Sequence, residues 1–315
     1  MGIRHNQRGI RWVVNPGDGE TLGQILDRAG FDAAVLSEGR AFVGRRRARA
    51  WSDLVRVGDV VAIAPARAGA PRSVVVLGDR GDLIAVEKPA GMPTIADLTG
   101  SDHCLHTIAA RTLGLDPMKL HPTSRLDRDV SGVVIFATSS AATQRLARAR
   151  LEGTYSRRYV ALGARAAEPL HGEWNAAIGR VDNPRLRGVG GFDSVPARTH
   201  YSVRFVSSAG PALFAVAPET GRTHQIRVHS AHAGAPLVGD ASYGGPVRLT
   251  LPNGQVLTLR RIALHAAKVV VPDSHGVAWP VVSEIPEDLV HLGLGLGVGR
   301  DEWEEAVSWD LSRTM

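Results

Sequence analysis

Cysteine is almost missing from this chain: Cys104 is the one thiol in 315 residues. A lone thiol excludes an internal disulfide and a cysteine-rich zinc site. It fits a small buried apolar role and a reducing, cytoplasmic setting. Lysine is nearly absent as well, with Lys88, Lys119 and Lys268 the only three among 37 basic residues. No apolar run reaches the ~18 residues a membrane helix needs. Met1–Arg11 is polar and basic, without the apolar stretch of a signal peptide, and Asn6 stands where a myristoylation pattern has Ser or Thr. The sequence holds no H-E-x-x-H and no G-x-S-x-G, which argues against a zinc protease helix and a serine-hydrolase elbow.

What is present is arginine, in an uneven charge pattern. Residues 281–315 hold eight acids and two arginines, a net of −6, against +6 for the whole chain, so residues 1–280 carry about +12. A basic body favours a polyanion partner, and the planar guanidinium fork suits phosphate and base recognition. Codon bias accounts for the same excess of arginine equally well. At 44% hydrophobic residues the chain can bury a sizeable core, and its length suits two domains.

Residues 1–72 are expected to form a small module and linker, residues 73–290 a main domain and residues 291–315 an acidic tail. In the first, Leu22, Ile25, Leu26 and Ala29 recur at helical spacing, and Gly30 ends the helix. A second short helix and a turn follow from Ala34 to Gly44, and Val55–Ile63 reads as a turn into a strand. Pro65–Arg72 is a linker by composition. Further on, strands are expected at 73–77, 83–87, 133–137, 158–162, 199–206, 213–217 and 263–270, and helices at 102–113, 140–152 and 223–233. So few helices between strands point to an α+β fold with a mixed, mostly antiparallel sheet. Residues 179–197 read as a surface loop. Gly293, Gly295, Gly297 and Gly299 alternate without the strand–turn–helix setting of a dinucleotide site.

The most informative run is Ser124-Arg125-Leu126-Asp127-Arg128-Asp129-Val130-Ser131-Gly132, leading into the apolar stretch Val133–Ala137. A carboxylate on a loop beside a rigid strand can serve as nucleophile, base or metal ligand. A second run, residues 219–244, reads E-T-G-R-T-H-Q-I-R-V-H-S-A-H-A-G-A-P-L-V-G-D-A-S-Y-G. With Glu87-Lys88-Pro89-Ala90-Gly91-Met92-Pro93 and Leu264-His265-Ala266, these motifs stand in an order that resembles the RluA-like family of RNA pseudouridine synthases. The N-terminal pattern (apolar helix, G-R-x-x-V, basic loop, V-x-x-G-D-x-V) resembles a small ribosomal-protein-type RNA-binding module.

The resemblance implies a pseudouridine synthase fold and a reaction that needs no cofactor and no metal. It makes Asp127 the nucleophile, whose target, sugar or base, is left open. Tyr159, in Arg157-Arg158-Tyr159-Val160-Ala161-Leu162, would pack on the uracil and accept the carbon 5 proton, with Tyr155 as rival. Arg227 would pair with Asp127, and Ile226 would line the base site. Arg125 would displace the target base, unless it pairs with Asp129. Arg222 and His224 would contact phosphate or hold the loop, and Arg40, Arg45, Arg46, Arg47 and Arg49 would grip phosphates. Ser124 and Val130 depart from the family's usual His and Thr. The expected partner is RNA, ribosomal RNA ahead of tRNA, for a monomer without a membrane. Three rivals are weighed: a metal site using His224, His229, His232 and Asp240, a serine hydrolase using Ser131 or Ser124 with a histidine, and a non-catalytic RNA-binding or ribosome-assembly factor.

Overall fold

The computed structural model describes residues 4–6, 9–31, 34–37, 40–44, 46–63, 73–96 and 102–310. The expected linker at 65–72 and Arg45 lie outside them. The chain divides into two compact units, Met1–Arg72 with Ile95–Ile108, and Ser73–Thr94 with Ala109–Met315.

In the first unit the helix Leu22–Arg28 forms where the apolar spacing places it. Thr21 and Gln24 cap its start reciprocally, satisfying amides that have no partner within the helix. Gly30 follows its end at φ +76°. Leu22, Ile25 and Leu26 pack with Val35, Ala41, Val55, Val61 and Ile63. A five-stranded sheet completes the unit in the order Arg4–Asn6, Gly9–Val13, Val60–Ile63, Ala41–Val43, Arg46–Arg47. The first two strands were not expected from a stretch so rich in polar residues. Arg46 and Arg47 pair with Val43 and Phe42 as a hairpin strand rather than sitting in a basic loop.

The second unit is built on a ten-stranded sheet. Its main path runs His171–Trp174, Thr199–Val206, Ala212–Pro218, Ser156–Gly163, Leu264–Pro272, Ser131–Ala137, Leu83–Lys88, Val76–Asp79. Among the described residues only the pairing of Leu264–Pro272 with Ser131–Ala137 is parallel, so the sheet is mixed and mostly antiparallel, as the order of strands implied. That parallel pair needs Gly132: at φ +120°, a Cβ there would lie 2.3 Å from the Ala266 carbonyl oxygen. The helix Ser140–Leu151 packs Ala142, Leu146 and Ala149 on Val133, Ile135 and Ala137.

Two expectations are corrected. Residues 179–197 hold a three-stranded sheet of Arg187–Val189, Ile178–Arg180 and Phe192–Val195, whose strands are too short to show alternation in sequence. The acidic tail is two helices, Glu287–Leu296 and Arg300–Ser308. Their apolar sides (Leu289, Leu292, Leu296, Trp303, Ala306) join Val160, Leu162, Leu213, Ala215 and Ala217 in one core. The acids occupy the outer sides, so net charge concealed an amphipathic pattern. The alternating glycines make room for packing: a Cβ at Gly293 would come within 2.8 Å of the Trp303 ring, and one at Gly295 within 2.6 Å of Leu251.

Candidate active site

Side chains alternate across the central strands, so the residues opposite that C-terminal core face the other way. Tyr159 on Ser156–Gly163, Val216 on Ala212–Pro218 and Tyr201 on Thr199–Val206 are direct cross-strand partners on that second face. The helix Gln225–His232 belongs to this face. Its His229 and Gln225 both reach the Thr199 hydroxyl, at 2.9 Å each. A bulge in the pairing of Ser156–Gly163 with Leu264–Pro272 falls at Tyr159, and bulges re-aim side chains.

Asp127 lies in the loop that enters the strand Ser131–Ala137, and both of its neighbours are pinned. Thr94 Oγ1 donates to the Leu126 carbonyl at 2.8 Å and accepts from the Leu126 amide at 3.0 Å. The Arg128 carbonyl accepts from the Gly91 amide at 2.8 Å and from Lys88 Nζ at 2.9 Å. Lys88 is fully buried and also donates to the carbonyls of Pro89 at 2.9 Å and Met92 at 2.6 Å. Burial, then the Arg261 charge, brings its pKa down to about 7, against the pull of Asp129 and Asp127. The segment 87–94 thus fixes the backbone on either side of Asp127.

The carboxylate itself keeps 26% of its side-chain surface exposed. Arg227 Nη1 donates to its Oδ2 at 2.9 Å, and His224 Nε2 stands 3.8 Å from the same oxygen. Oδ1 accepts no hydrogen bond from a described residue. Arg227 makes its bidentate bond to Asp240, Nε to Oδ2 at 2.7 Å and Nη2 to Oδ1 at 2.9 Å. Burial works against the guanidinium charge, but the two carboxylates outweigh it and hold Arg227 well above the ordinary arginine range. Tyr159 is buried, and its phenol is raised by that burial and by the nearby charges of Tyr155 and Asp127, with Arg157 opposing. The phenol is therefore protonated at neutral pH.

The other candidates divide clearly. Ile226 is buried beside Arg227. Arg125 is exposed and makes no ion pair with Asp129 or any other described residue. The Arg222 guanidinium donates through Nε to the Pro196 carbonyl at 2.9 Å, and its amide bonds Gln225 Oε1 at 2.9 Å. Tyr155 belongs to the other core, where Arg150 lies 4.3 Å over its ring. Arg46 pairs with Asp53 at 3.1 Å, and the Arg49 amide donates to the same carboxylate at 2.9 Å. Arg40 and Arg47 are half-buried.

Sequence reading passed over Lys88, Thr94 and Tyr243 as site residues, and weighed Asp240 only as a metal ligand. Lys88 had a signal: of the three lysines in the sequence it is the one that lies inside a quoted motif. The other motif residues settle into structural bonds: Ser131 Oγ and His265 Nδ1 lie 2.7 Å apart, and Arg261 Nη2 donates to that hydroxyl at 2.7 Å. His265 Nε2 faces the Ser283 carbonyl, which can only accept, so the neutral ring keeps its proton there and Ser131 donates to Nδ1.

A carboxylate with one oxygen tied to a buried guanidinium, the other without a donor among the described residues, and a buried tyrosine nearby defines a candidate for covalent or acid–base chemistry. The comparisons give this class its family. The pattern of the RNA pseudouridylate synthase family matches residues 82–232. An uncharacterized RNA pseudouridine synthase of Bacillus subtilis is 35% identical over 62% of this chain and 62% of its own length. Ribosomal large subunit pseudouridine synthase D of Xylella fastidiosa is 34% identical over 69% of this chain and 67% of its own. The chain belongs to the RNA pseudouridine synthase family, while spanning about two thirds of the length of these relatives. The fold agrees with that of human RNA pseudouridylate synthase domain containing 1, at a TM-score of 0.58 and 23% identity over 78% of this chain and 98% of that one.

Proposed function

We propose that this protein isomerises uridine to pseudouridine in RNA, with Asp127 as the nucleophile. The observation that carries the reading is the asymmetric hold on its carboxylate: Arg227 occupies Oδ2 and leaves Oδ1 without a donor among the described residues. In the reaction the bond from the ribose to N1 breaks and one to carbon 5 forms. The carbon 5 proton departs and N1 gains one. Tyr159 would stack on the uracil, a contact worth roughly 1–3 kcal/mol per base. Its protonated phenol favours this stacking role over that of a resting base.

Arg125, exposed beside Asp127 and without an ion pair to a described residue, would fill the gap left by the flipped nucleotide, offsetting an extrusion cost of a few kcal/mol. His224 would position the loop, since its ring is engaged by Tyr243, while Arg222, exposed and bonded through Nε to the Pro196 carbonyl, would hold the loop or contact phosphate. The N-terminal unit would serve as a ribosomal-protein-type RNA grip, using Arg40, Arg45, Arg46, Arg47 and Arg49 on phosphates. The Xylella relative bears a ribosomal large subunit name, and this favours ribosomal RNA as substrate.

Tritium release from uridine labelled at carbon 5 tests the reading, using ribosomal RNA and tRNA pools from cells lacking the protein. Wild type is expected to release tritium from the ribosomal pool. Asp127→Ala and Asp127→Asn should fall by more than about a thousandfold, the scale on which nucleophile deletions act. Near-normal release by Asp127→Ala would overturn the assignment.

A further inference from the structure

His224 begins the helix Gln225–His232 in the left-handed region, at φ +59°. A non-glycine residue held there invites a functional reading. Its ring is fixed at both ends. Nε2 faces Asp127 Oδ2 at 3.8 Å, and Nδ1 lies 2.8 Å from the Tyr243 hydroxyl. That hydroxyl also accepts from the Arg187 amide at 2.9 Å. The amide can only donate, so the phenol's own proton is free to go to His224 Nδ1. The imidazole proton is then left on Nε2, pointing at the carboxylate. The same tyrosine ring carries the Arg227 guanidinium over its face, 4.8 Å from the centroid. Both partners of Asp127 therefore rest on one aromatic side chain.

Building on the proposed isomerase reading, we propose that Tyr243 is a positioning residue that sets His224 as a neutral Nε2–H donor to Asp127. In the free protein His224 stands just beyond hydrogen-bond distance. When RNA fills the site, its N–H closes on Oδ2 beside Arg227, and both donors then sit on one oxygen. Oδ1 remains the attacking atom. No proton is transferred in this step. A protonated His224 would instead form an ion pair with Asp127 and blunt its nucleophilicity.

The groups facing His224 are Asp127 from the catalytic loop, Arg227 from its own helix, Asp240 and Tyr243 from the turn after it, and Arg187 from the small sheet. Burial keeps the imidazole below its usual pKa, with the charges of Arg227 and Arg187 acting the same way and the two carboxylates opposing. Tyr243→Phe keeps the ring under Arg227 and removes only the hydroxyl. It frees Nδ1 to take a proton, so the acid limb of the kcat profile should move to higher pH.

The test uses the full chain in two arms. In the first, imidazole nitrogen-15 NMR of the RNA-free protein reads the tautomer of His224. The Nε2–H form is expected in wild type and a mixture in Tyr243→Phe. An Nδ1–H form in wild type overturns the proposal, whatever the activity. In the second arm, tritium release by Tyr243→Phe should show kcat lowered about tenfold or more, KM within about twofold, and the shifted acid limb. His224→Gln, which keeps an N–H donor, should retain more activity than His224→Ala. A Tyr243→Phe variant with unchanged kcat and pH profile, or equal loss in Gln and Ala, overturns the role. If wild type itself releases no tritium, the isomerase reading fails, and the tautomer result still decides the inference.

Discussion

Arg227 is a buried cation held between two carboxylates, and the two do different work. Asp240, nearly inaccessible, takes both of its remaining donor edges in planar geometry, while Asp127 receives a single N–H. Asp240 neutralises the guanidinium and fixes its plane, and Asp127 gains an oriented donor without being locked. Asp240→Asn would leave a buried cation short of its main counter-charge, at a cost of about 3–5 kcal/mol. It would also let Arg227 turn fully onto Asp127. Urea unfolding should show the stability loss, and single-turnover tritium release at a permissive temperature should still be slowed. Normal turnover in folded Asp240→Asn would mean that the plane of Arg227 is not critical. The pairing of Arg227 with Asp127 was legible in the sequence because each sits inside a local pattern. Asp240 and Tyr243 were not, because their roles depend on a turn that brings them back onto the helix. Gly239 and Gly245 permit that turn: a Cβ on either would come within 1.8 Å of a carbonyl oxygen, of Arg261 and Leu237 respectively.

At the scale of elements, the faces of the central sheet divide the labour. One face carries the site, and the other is sealed by the two C-terminal helices, with Trp303 and Trp309 against Val160, Leu162 and Leu213. Arg158 follows the same division, donating through Nε to the Trp309 carbonyl at 3.0 Å, one residue before Tyr159. Trp303→Ala should therefore cost about 3–5 kcal/mol through the cavity it leaves, read as a lowered midpoint in thermal unfolding. Single-turnover chemistry should be unchanged while the variant stays folded. A variant as stable as wild type would contradict the packing described. The elements that were legible are those with long, clean periodicity: Leu22–Arg28, Ser140–Leu151, Thr199–Val206 and Ala212–Pro218. Strands of three or four residues such as Ile178–Arg180 and Arg187–Val189 offer too few positions for alternation to register. The C-terminal helices were misread because acids on the outer side dominated a count taken without regard to periodicity.

Across the whole molecule, buried histidines make stability depend on pH in one direction. Burial lowers His224, His229 and His265, and His265 falls to about 3 because Arg261 adds to its desolvation. An unfolded histidine titrates near 6.5. Between that value and about 3, the unfolded chain binds a proton at residue 265 that the folded chain refuses. The contribution is complete above pH 6.5 and is lost as pH falls, by about 1.4 kcal/mol per unit for a single group. Lys88, brought down to about 7, extends the same sign above neutrality, so stability should still be rising on the alkaline side. The chain from Arg261 through Ser131 to His265 joins the parallel strand pair beneath the loop that carries Asp127, so protonating His265 should open the fold near Asp127 first. Urea midpoints at pH 8, 6.5 and 5 should therefore drop steeply in wild type. The drop should be shallower in His265→Gln, whose amide cannot titrate but can still face Ser131. Equal slopes for the two proteins would remove His265 as the source and leave His224 and His229 to carry the acid sensitivity.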